Sequence, residues 1–218
     1  MKQPTSWLYY STMSAISRAS LDQEIYLRSL TGYLVGRHLM AGFRKVAVLT
    51  YPDRICSAMA AAALASYEAS GNYRDAAGAV FLLEQGKEED AAGSVVRYGA
   101  DAVYLSFGGE QRMSDVASLT ARAVGALARA GYRGALLVHV RAWLATKQMS
   151  SLLSDPALAS YLRGLGEIRV FTADAAARKF LFNRVRIGES GAALERYAEA
   201  EITKEHADLL RISLPPPE

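Results

Sequence analysis

The sequence predicts a three-layer α/β fold: a central, mostly parallel sheet flanked by helices, with short antiparallel strands at its C-terminal end. Three observations predict it. Short apolar runs alternate with longer segments of helical periodicity. These apolar runs are continuous rather than alternating, as in strands that are covered on both faces. Of the 218 residues, 51% are apolar and 22% are charged, a composition that suits a packed globular chain.

The first half of the chain contains the clearest alternation. Ser20 is placed to cap the first helix and Gly42 to stop it, and Pro52 ends the strand that follows. Gly71 and Gly99 stop the next two helices. Strands are predicted at Trp7–Tyr10, Lys45–Tyr51, Ala79–Leu83 and Ala102–Ser106, and helices at 20–41, 54–70 and Glu88–Tyr98.

The second half keeps this rhythm only as far as residue 140. A helix over 114–130 and a strand over 135–140 are followed by a polar, irregular stretch, Arg141–Leu153. A short helix is expected to restart at Asp155-Pro156. The remaining strands are predicted at Glu167–Thr172, Lys179–Ile187, Tyr197–Ile202 and Asp208–Ser213.

Composition and charge exclude several classes of protein. A single cysteine, Cys56, excludes an internal disulfide framework and a multi-cysteine zinc site. No apolar run approaches a membrane span, and residues 1–20 lack the apolar stretch of a signal peptide, so we expect a cytoplasmic protein. We expect one domain over 1–214 and a disordered tail over 215–218. The 38 alanines beside two asparagines are typical of hyperthermophiles, and equally of a GC-rich genome.

The order of these elements resembles the RecA-like ATPase core, in the branch of KaiC-type proteins and archaeal recombinase paralogues. That family places a phosphate-binding loop after its first strand and a magnesium-binding Asp at the end of a later one. Here 11–20 lies where the phosphate-binding loop would be, and Ala102–Ser106 where the Asp-ended strand would be. Arg141–Leu153 corresponds to its DNA-facing loop, and Arg178–Arg186 to its terminal hairpins.

The sequence departs from that family at the residues that carry its chemistry. The loop over 11–20 has neither the glycines nor the lysine that hold phosphates, and its Ser14, Ser17 and Arg18 offer only weak anion contacts. Ser106 stands where the metal-binding Asp would be. The resemblance therefore implies a member without hydrolysis and without catalytic or metal-binding residues, which holds either no cofactor or ATP or another nucleotide.

Asp53 and the loop Phe107–Arg112 are the candidate ligand residues of the strand ends. Asp53 lies near the position of the family's catalytic acid, but the favoured interpretation is that it caps helix 54–70. Gly108 and Gly109 would let the backbone approach a ligand beyond the end of a strand. The alternative is a plain β-to-α turn whose glycines supply positive φ angles.

Two basic segments suggest a surface for phosphates. The stretch 112–147 has six Lys or Arg residues against one acid, and 178–186 has four and no acid. If the two share a face they would bind nucleic acid, with an aromatic side chain for stacking. The alternative is ordinary solvated surface. The candidate nucleic-acid residues are Arg141, Trp143, Lys147, Arg178, Lys179, Arg184 and Arg186.

The sequence thus favours a non-catalytic RecA-like accessory protein, which binds DNA, a recombinase-type partner or itself and acts in DNA repair or recombination. Two alternatives stay open. One is a small-molecule or nucleotide-binding α/β enzyme with its site at the carboxyl ends of the strands, near Asp53 and Phe107–Arg112. The other is a structural subunit of a larger complex.

Overall fold

The computed structural model describes residues 19–70, 76–189 and 191–213. The predicted strand Trp7–Tyr10, the loop residues Ser14, Ser17 and Arg18, and the tail 215–218 lie outside the described residues. The strands are β1 (Lys45–Thr50), β2 (Ala77–Leu82), β3 (Ala102–Ser106), β4 (Ala135–Val138), β5 (Ile168–Asp174), β6 (Lys179–Gly188) and β7 (Gly191–Glu201). The helices are α1 (Leu21–Leu34), α2 (Arg54–Ala69), α3 (Glu88–Tyr98), α4 (Met113–Arg129), α5 (Val140–Ala145), α6 (Ser150–Leu153), α7 (Pro156–Arg163) and α8 (Lys204–Ile212).

The described strands form one sheet in the order β2-β1-β3-β4-β5-β6-β7. The first five strands in this order are parallel, and β6 and β7 add to them as antiparallel neighbours. One apolar cluster lies between the sheet and α3, α4, α5 and α7, and a second lies between the other face and α1, α2 and α8. The predicted fold class is therefore confirmed: three layers, a mostly parallel sheet and antiparallel C-terminal strands.

Helix α1 packs unusually closely on α2, and two glycines make this approach feasible. A Cβ atom on Gly32 would lie 2.6 Å from the carbonyl oxygen of Met59, and one on Gly36 would lie 2.2 Å from that of Ala63. At the start of α1, Ser20 forms a capping box with Gln23, as expected of a helix that begins there. This close packing on α2 accompanies the burial of Leu27, Arg28 and Thr31 of α1.

Two predicted elements differ from the structure. The stretch Arg141–Leu153 is not an irregular loop, because it forms α5 and α6 and buries Trp143 to 2% exposure. The segment Asp208–Ser213 is not a strand but the second half of α8. Thr203 accepts a hydrogen bond from the His206 amide at 3.1 Å and so starts that helix, whose buried face includes Leu209. The N-cap Thr203 and the short amphipathic run after it form a helix, although the apolar residues of that run also fit a strand.

Candidate functional site

The strand order creates a crevice at one point of the carboxyl edge of the sheet. From β1 the chain turns into α2 on one face, whereas from β3 it turns into α4 on the other. The two loops diverge at this topological switch point, where open α/β sheets usually bind their ligands. Asp53 follows β1 and Gly108 and Gly109 follow β3, so the structure brings these sequence-predicted residues together with Ser106.

Asp53 closes the outer part of this crevice. Its carboxylate accepts hydrogen bonds from the amides of Cys56 at 2.7 Å and Glu110 at 3.3 Å, so it caps α2 and ties the glycine loop to it. A Cβ atom on Gly109 would lie 2.5 Å from one Asp53 oxygen. Only glycine fits there, and the interpretation of Asp53 as a helix cap is confirmed.

Arg141 shapes the same loop from the opposite side. Its Nη1 donates to the carbonyl oxygens of Gly108 at 2.6 Å and Gly109 at 3.0 Å. Gly108 has φ +97°, and a Cβ atom there would lie 2.8 Å from Cβ of Arg141. Burial, and next the neighbouring Arg28 charge, lowers the pKa of Arg141 to about 10. Arg141 is therefore an internal support of the loop, and its guanidinium is not displayed to a nucleic acid.

A small cavity of about 10 Å³ lies behind the closed crevice. Met59 and Phe107 form apolar parts of its wall, and Arg28, Ser106 and His139 supply polar parts. These three polar residues are 5%, 1% and 2% exposed. A space of this size holds about one water molecule or one oxygen atom of a ligand.

Each polar residue of this cavity carries a buried atom that has no hydrogen-bond partner among the described residues: Nε of Arg28, Oγ of Ser106 and Nε2 of His139. Leaving one such atom unsatisfied costs about 1–3 kcal/mol. Three of them around one cavity are too many to attribute to incidental packing. Their chemistry therefore indicates what kind of atom the cavity suits.

The three atoms agree in hydrogen-bond character. The Arg28 Nε–H is a donor, and the Ser106 hydroxyl can donate. Nδ1 of His139 accepts a hydrogen bond from the Arg141 amide at 3.0 Å, and burial, followed by the charges of Arg28 and Arg141, lowers the pKa of His139 well below its ordinary value. The neutral ring therefore carries its proton on Nε2, which is a donor too. The cavity is therefore lined by three hydrogen-bond donors and suits a hydrogen-bond acceptor.

Two buried guanidinium groups and the carboxylates of Glu24 and Asp53 set the charge around the cavity. Arg28 is buried and pairs with Glu24 of the same helix, whose Oε2 lies 3.5 Å from Nη2 of Arg28. Arg141 is a second buried cation in the same region, and its proximity to Arg28 contributes to its lowered pKa. A negative group in the cavity would be attracted to both guanidinium groups.

The predicted nucleic-acid residues do not form one surface. Arg141 and Trp143 are buried behind the carboxyl edge, and Lys147 lies in the loop that follows them. Arg184 and Arg186 lie near the opposite edge, where β6 passes the start of β5. Lys179, Arg184 and Arg186 pair with Glu199, Glu167 and Glu195, and Arg178 lies in the turn before β6 with φ +54°.

Sequence reasoning missed both Arg28 and His139 as residues of the site. Glu24 and Arg28 are four residues apart, the spacing of an ordinary ion pair on an exposed helix face. The available signal was the pair Gly32 and Gly36, four residues apart on α1 and on the π-helical turn Val35–Leu39 that continues it, which indicates a helix packed closely enough to bury its neighbours.

These features define a class of protein: an open α/β domain with a buried set of donors at the switch point of its sheet. Residues 24–209 match a family model described as "Uncharacterized protein", and the chain belongs to that family. No curated protein sequence matches the chain.

Similar solved structures include an extracellular ligand-binding receptor from Verminephrobacter eiseniae, with 18% identity and a TM-score of 0.44 over 72% of this chain and 38% of that one. A type 1 periplasmic binding protein from Bordetella pertussis has 14% identity and a TM-score of 0.44, over 70% and 35% of the two chains. The leucine-binding protein of Thermotoga maritima has 11% identity and a TM-score of 0.43, over 71% and 39%. The chain thus spans less than two fifths of the length of each.

These structural neighbours are ligand-binding proteins and not RecA- or KaiC-type ATPases, so the predicted resemblance is wrong. The expected role in DNA repair or recombination, with a DNA or recombinase partner, is wrong with it. The resemblance depended on the order and spacing of strands and helices, which many doubly wound folds share. Among the described residues, no helix combines the length and apolar character needed to span a bilayer.

Proposed function

We propose that the chain binds a small anionic molecule at the carboxyl edge of its sheet. An acceptor oxygen of a carboxylate, phosphate or sulfate group enters the cavity between Arg28, Ser106 and His139. The observation that carries this proposal is the set of three buried, unpartnered donors around that cavity. An acceptor oxygen at this position would accept hydrogen bonds from these buried donors.

The size of the cavity limits how the anion binds. About 10 Å³ admits one oxygen atom, so the remainder of the anion lies outside the present cavity wall. Room for it requires a displacement of the loop Phe107–Gly109 or of the Arg28 side chain. We therefore expect binding to change the environment of the Gly108 and Gly109 amides.

The test is a titration followed by ¹H–¹⁵N NMR at low ionic strength, with acetate, succinate, inorganic phosphate and sulfate as probes. Saturable shifts of the Gly108 and Gly109 amides are expected for at least one of them. Arg28→Met removes the charge at similar length and should weaken binding about tenfold or more. Ser106→Ala removes one donor and should have a smaller effect in the same direction.

Arg129→Met is the matched control, because Arg129 is an exposed arginine on α4 that pairs with Glu89. It should leave the titration unchanged. In the absence of an anion, Arg28→Met should leave the protein folded, since among the described residues Glu24 at 3.5 Å is the one acidic partner that Arg28 loses. Absence of a saturable shift for every probe, or equal binding by wild type and Arg28→Met, contradicts the proposal.

A further inference from the structure

A second opening lies at the opposite, amino edge of the sheet, with a volume of about 470 Å³. The β5–β6 pairing ends at Arg169 and Arg184, whereas β6 continues to Gly188. The opening lies along this part of β6, which has no partner on β5. The turn from α7 into β5 forms the facing wall. This volume is in the range of sites that hold small organic molecules.

The floor of this groove has a small apolar part. Leu165 and Ile187 line it and are half-buried. They pack on the larger apolar cluster, which includes the buried side chains of Leu162, Ile168 and Val185, so this part of the floor is continuous with the core of the domain. The groove is thus formed by well-packed parts of the fold.

The rim of the groove is cationic. Arg163, Arg184 and Arg186 line it together with a single acid, Glu167. Arg184 is engaged, because its Nε lies 2.7 Å from Glu167 and its guanidinium lies over the Tyr197 ring at 5.0 Å. Glu167 also accepts a hydrogen bond from Arg169. Burial alone would raise the pKa of Glu167, but the hydrogen bonds and charges of Arg169 and Arg184 outweigh burial and lower it. The carboxylate of Glu167 is therefore already paired with two arginines.

The other two arginines leave positive charge at the rim. Arg163 is exposed at the end of α7 and has no acidic partner within the described part of the chain. Arg186 pairs with Glu195 at 2.8 Å, but both side chains are more than half exposed, so the pair is weak and open to exchange. An apolar floor below two available guanidinium groups complements a molecule with an apolar body and an anionic head.

We propose that this groove is a second binding site, which takes a small amphipathic organic anion. The apolar body lies over Leu165 and Ile187, and the carboxylate or similar head contacts Arg163 and Arg186. This site is independent of the donor-lined cavity, because the two lie at opposite ends of the parallel strands.

The test uses 4-phenylbutyrate as the probe and the uncharged 4-phenylbutanol as its matched control, followed by ¹H–¹⁵N NMR. Phenylbutyrate should shift the amides of Gly166 and Val185 saturably, and the alcohol should bind about fivefold more weakly. Arg163→Gln should reduce the affinity for phenylbutyrate to the level of the alcohol. Arg129→Gln, which removes an exposed charge elsewhere, should leave it unchanged.

Gly166→Leu provides an independent test of the location. A Cβ atom on Gly166 meets no atom within 4 Å, so a larger side chain can enter the groove without strain and should abolish binding. Binding that survives Gly166→Leu, or equal affinity for the acid and the alcohol, overturns the proposal. So does a groove that binds an acidic extended peptide and no small anion. Arg28→Met should leave phenylbutyrate binding unchanged. The experiment therefore tests the groove separately from the proposed anion site at the carboxyl edge.

Discussion

Arg141 supports Gly108 from within the protein: its guanidinium donates a 2.6 Å hydrogen bond to the carbonyl oxygen of that glycine. It donates a second, at 3.0 Å, to the carbonyl of Gly109. Two successive carbonyls are thereby turned away from the cavity at the switch point. The loop that the sequence marks as a possible ligand contact is thus held by a buried cation at its back and by Asp53 at its front.

Replacing Arg141 by Met should lower the free energy of unfolding by about 2–4 kcal/mol, because two buried carbonyls lose a charged donor. Urea denaturation measures this change. Arg129→Met on the exposed face of α4 is the control and should stay within about 0.5 kcal/mol of wild type. A similarly small effect of Arg141→Met would show that the two hydrogen bonds are not needed.

Gly109→Ala should destabilise the protein by about 1–3 kcal/mol, since its Cβ atom would meet an Asp53 oxygen at 2.5 Å and Cys56 Sγ at 2.9 Å. Gly166→Ala is the matched control, because nothing lies within 4 Å of its Cβ atom. It should leave the midpoint of thermal unfolding within a few degrees of wild type. Equal effects of the two substitutions would contradict the tight contact between Asp53 and the glycine loop.

The sequence predicted the sheet well because periodicity and helix caps are local properties. Ser20, Asp53 and Asp155 start helices as their positions indicate, and the apolar runs from β1 to β5 form strands. Strand order is not local. The alternation of elements fits several doubly wound topologies, which explains how an incorrect family resemblance could accompany a correct fold class.

The site was only half predictable for a related reason. Asp53, Ser106 and the two glycines follow strands directly, so parallel pairing alone brings them to one edge. Arg28 reaches the same place only because α1 is pressed onto α2 through Gly32 and Gly36. That approach depends on two helices packing in three dimensions, and the spacing of Glu24 and Arg28 on α1 is also that of an ordinary solvated ion pair.

Cys56 should react slowly with thiol reagents in the folded protein. The side chain is 3% exposed, and burial, reinforced by the carboxylate of Asp53, raises the pKa of its thiol well above the ordinary value. Because the thiolate is the reactive form, labelling with a disulfide reagent such as DTNB at pH 8 should be at least about 100-fold slower than in urea. Comparable labelling rates in the folded and unfolded states would show that the surroundings of Cys56 open to solvent readily in the folded protein.

His206 should make the fold sensitive to mild acid. Its Nε2 lies 3.2 Å from the hydroxyl oxygen of Thr31, whose own proton is donated to the Leu27 carbonyl, so the neutral ring donates to Thr31. Burial, and next the charge of Arg28, lowers the pKa of His206 to about 4. The pKa of the same histidine in the unfolded chain is near 6.5. Between pH 4 and pH 6.5 the unfolded chain therefore binds a proton at His206 that the folded chain does not bind.

The stabilising contribution of the neutral His206 is consequently complete above pH 6.5 and is lost as the pH falls toward 4, by about 3 kcal/mol over the window. Urea denaturation at several pH values measures it. His139, whose pKa is also lowered, acts in the same direction, so the diagnostic quantity is the difference from His206→Gln, whose amide can still donate to Thr31. The variant should lose markedly less stability than wild type between pH 7 and 4.5. Parallel curves for the two proteins would show that His206 is protonated as readily in the folded state as in the unfolded one.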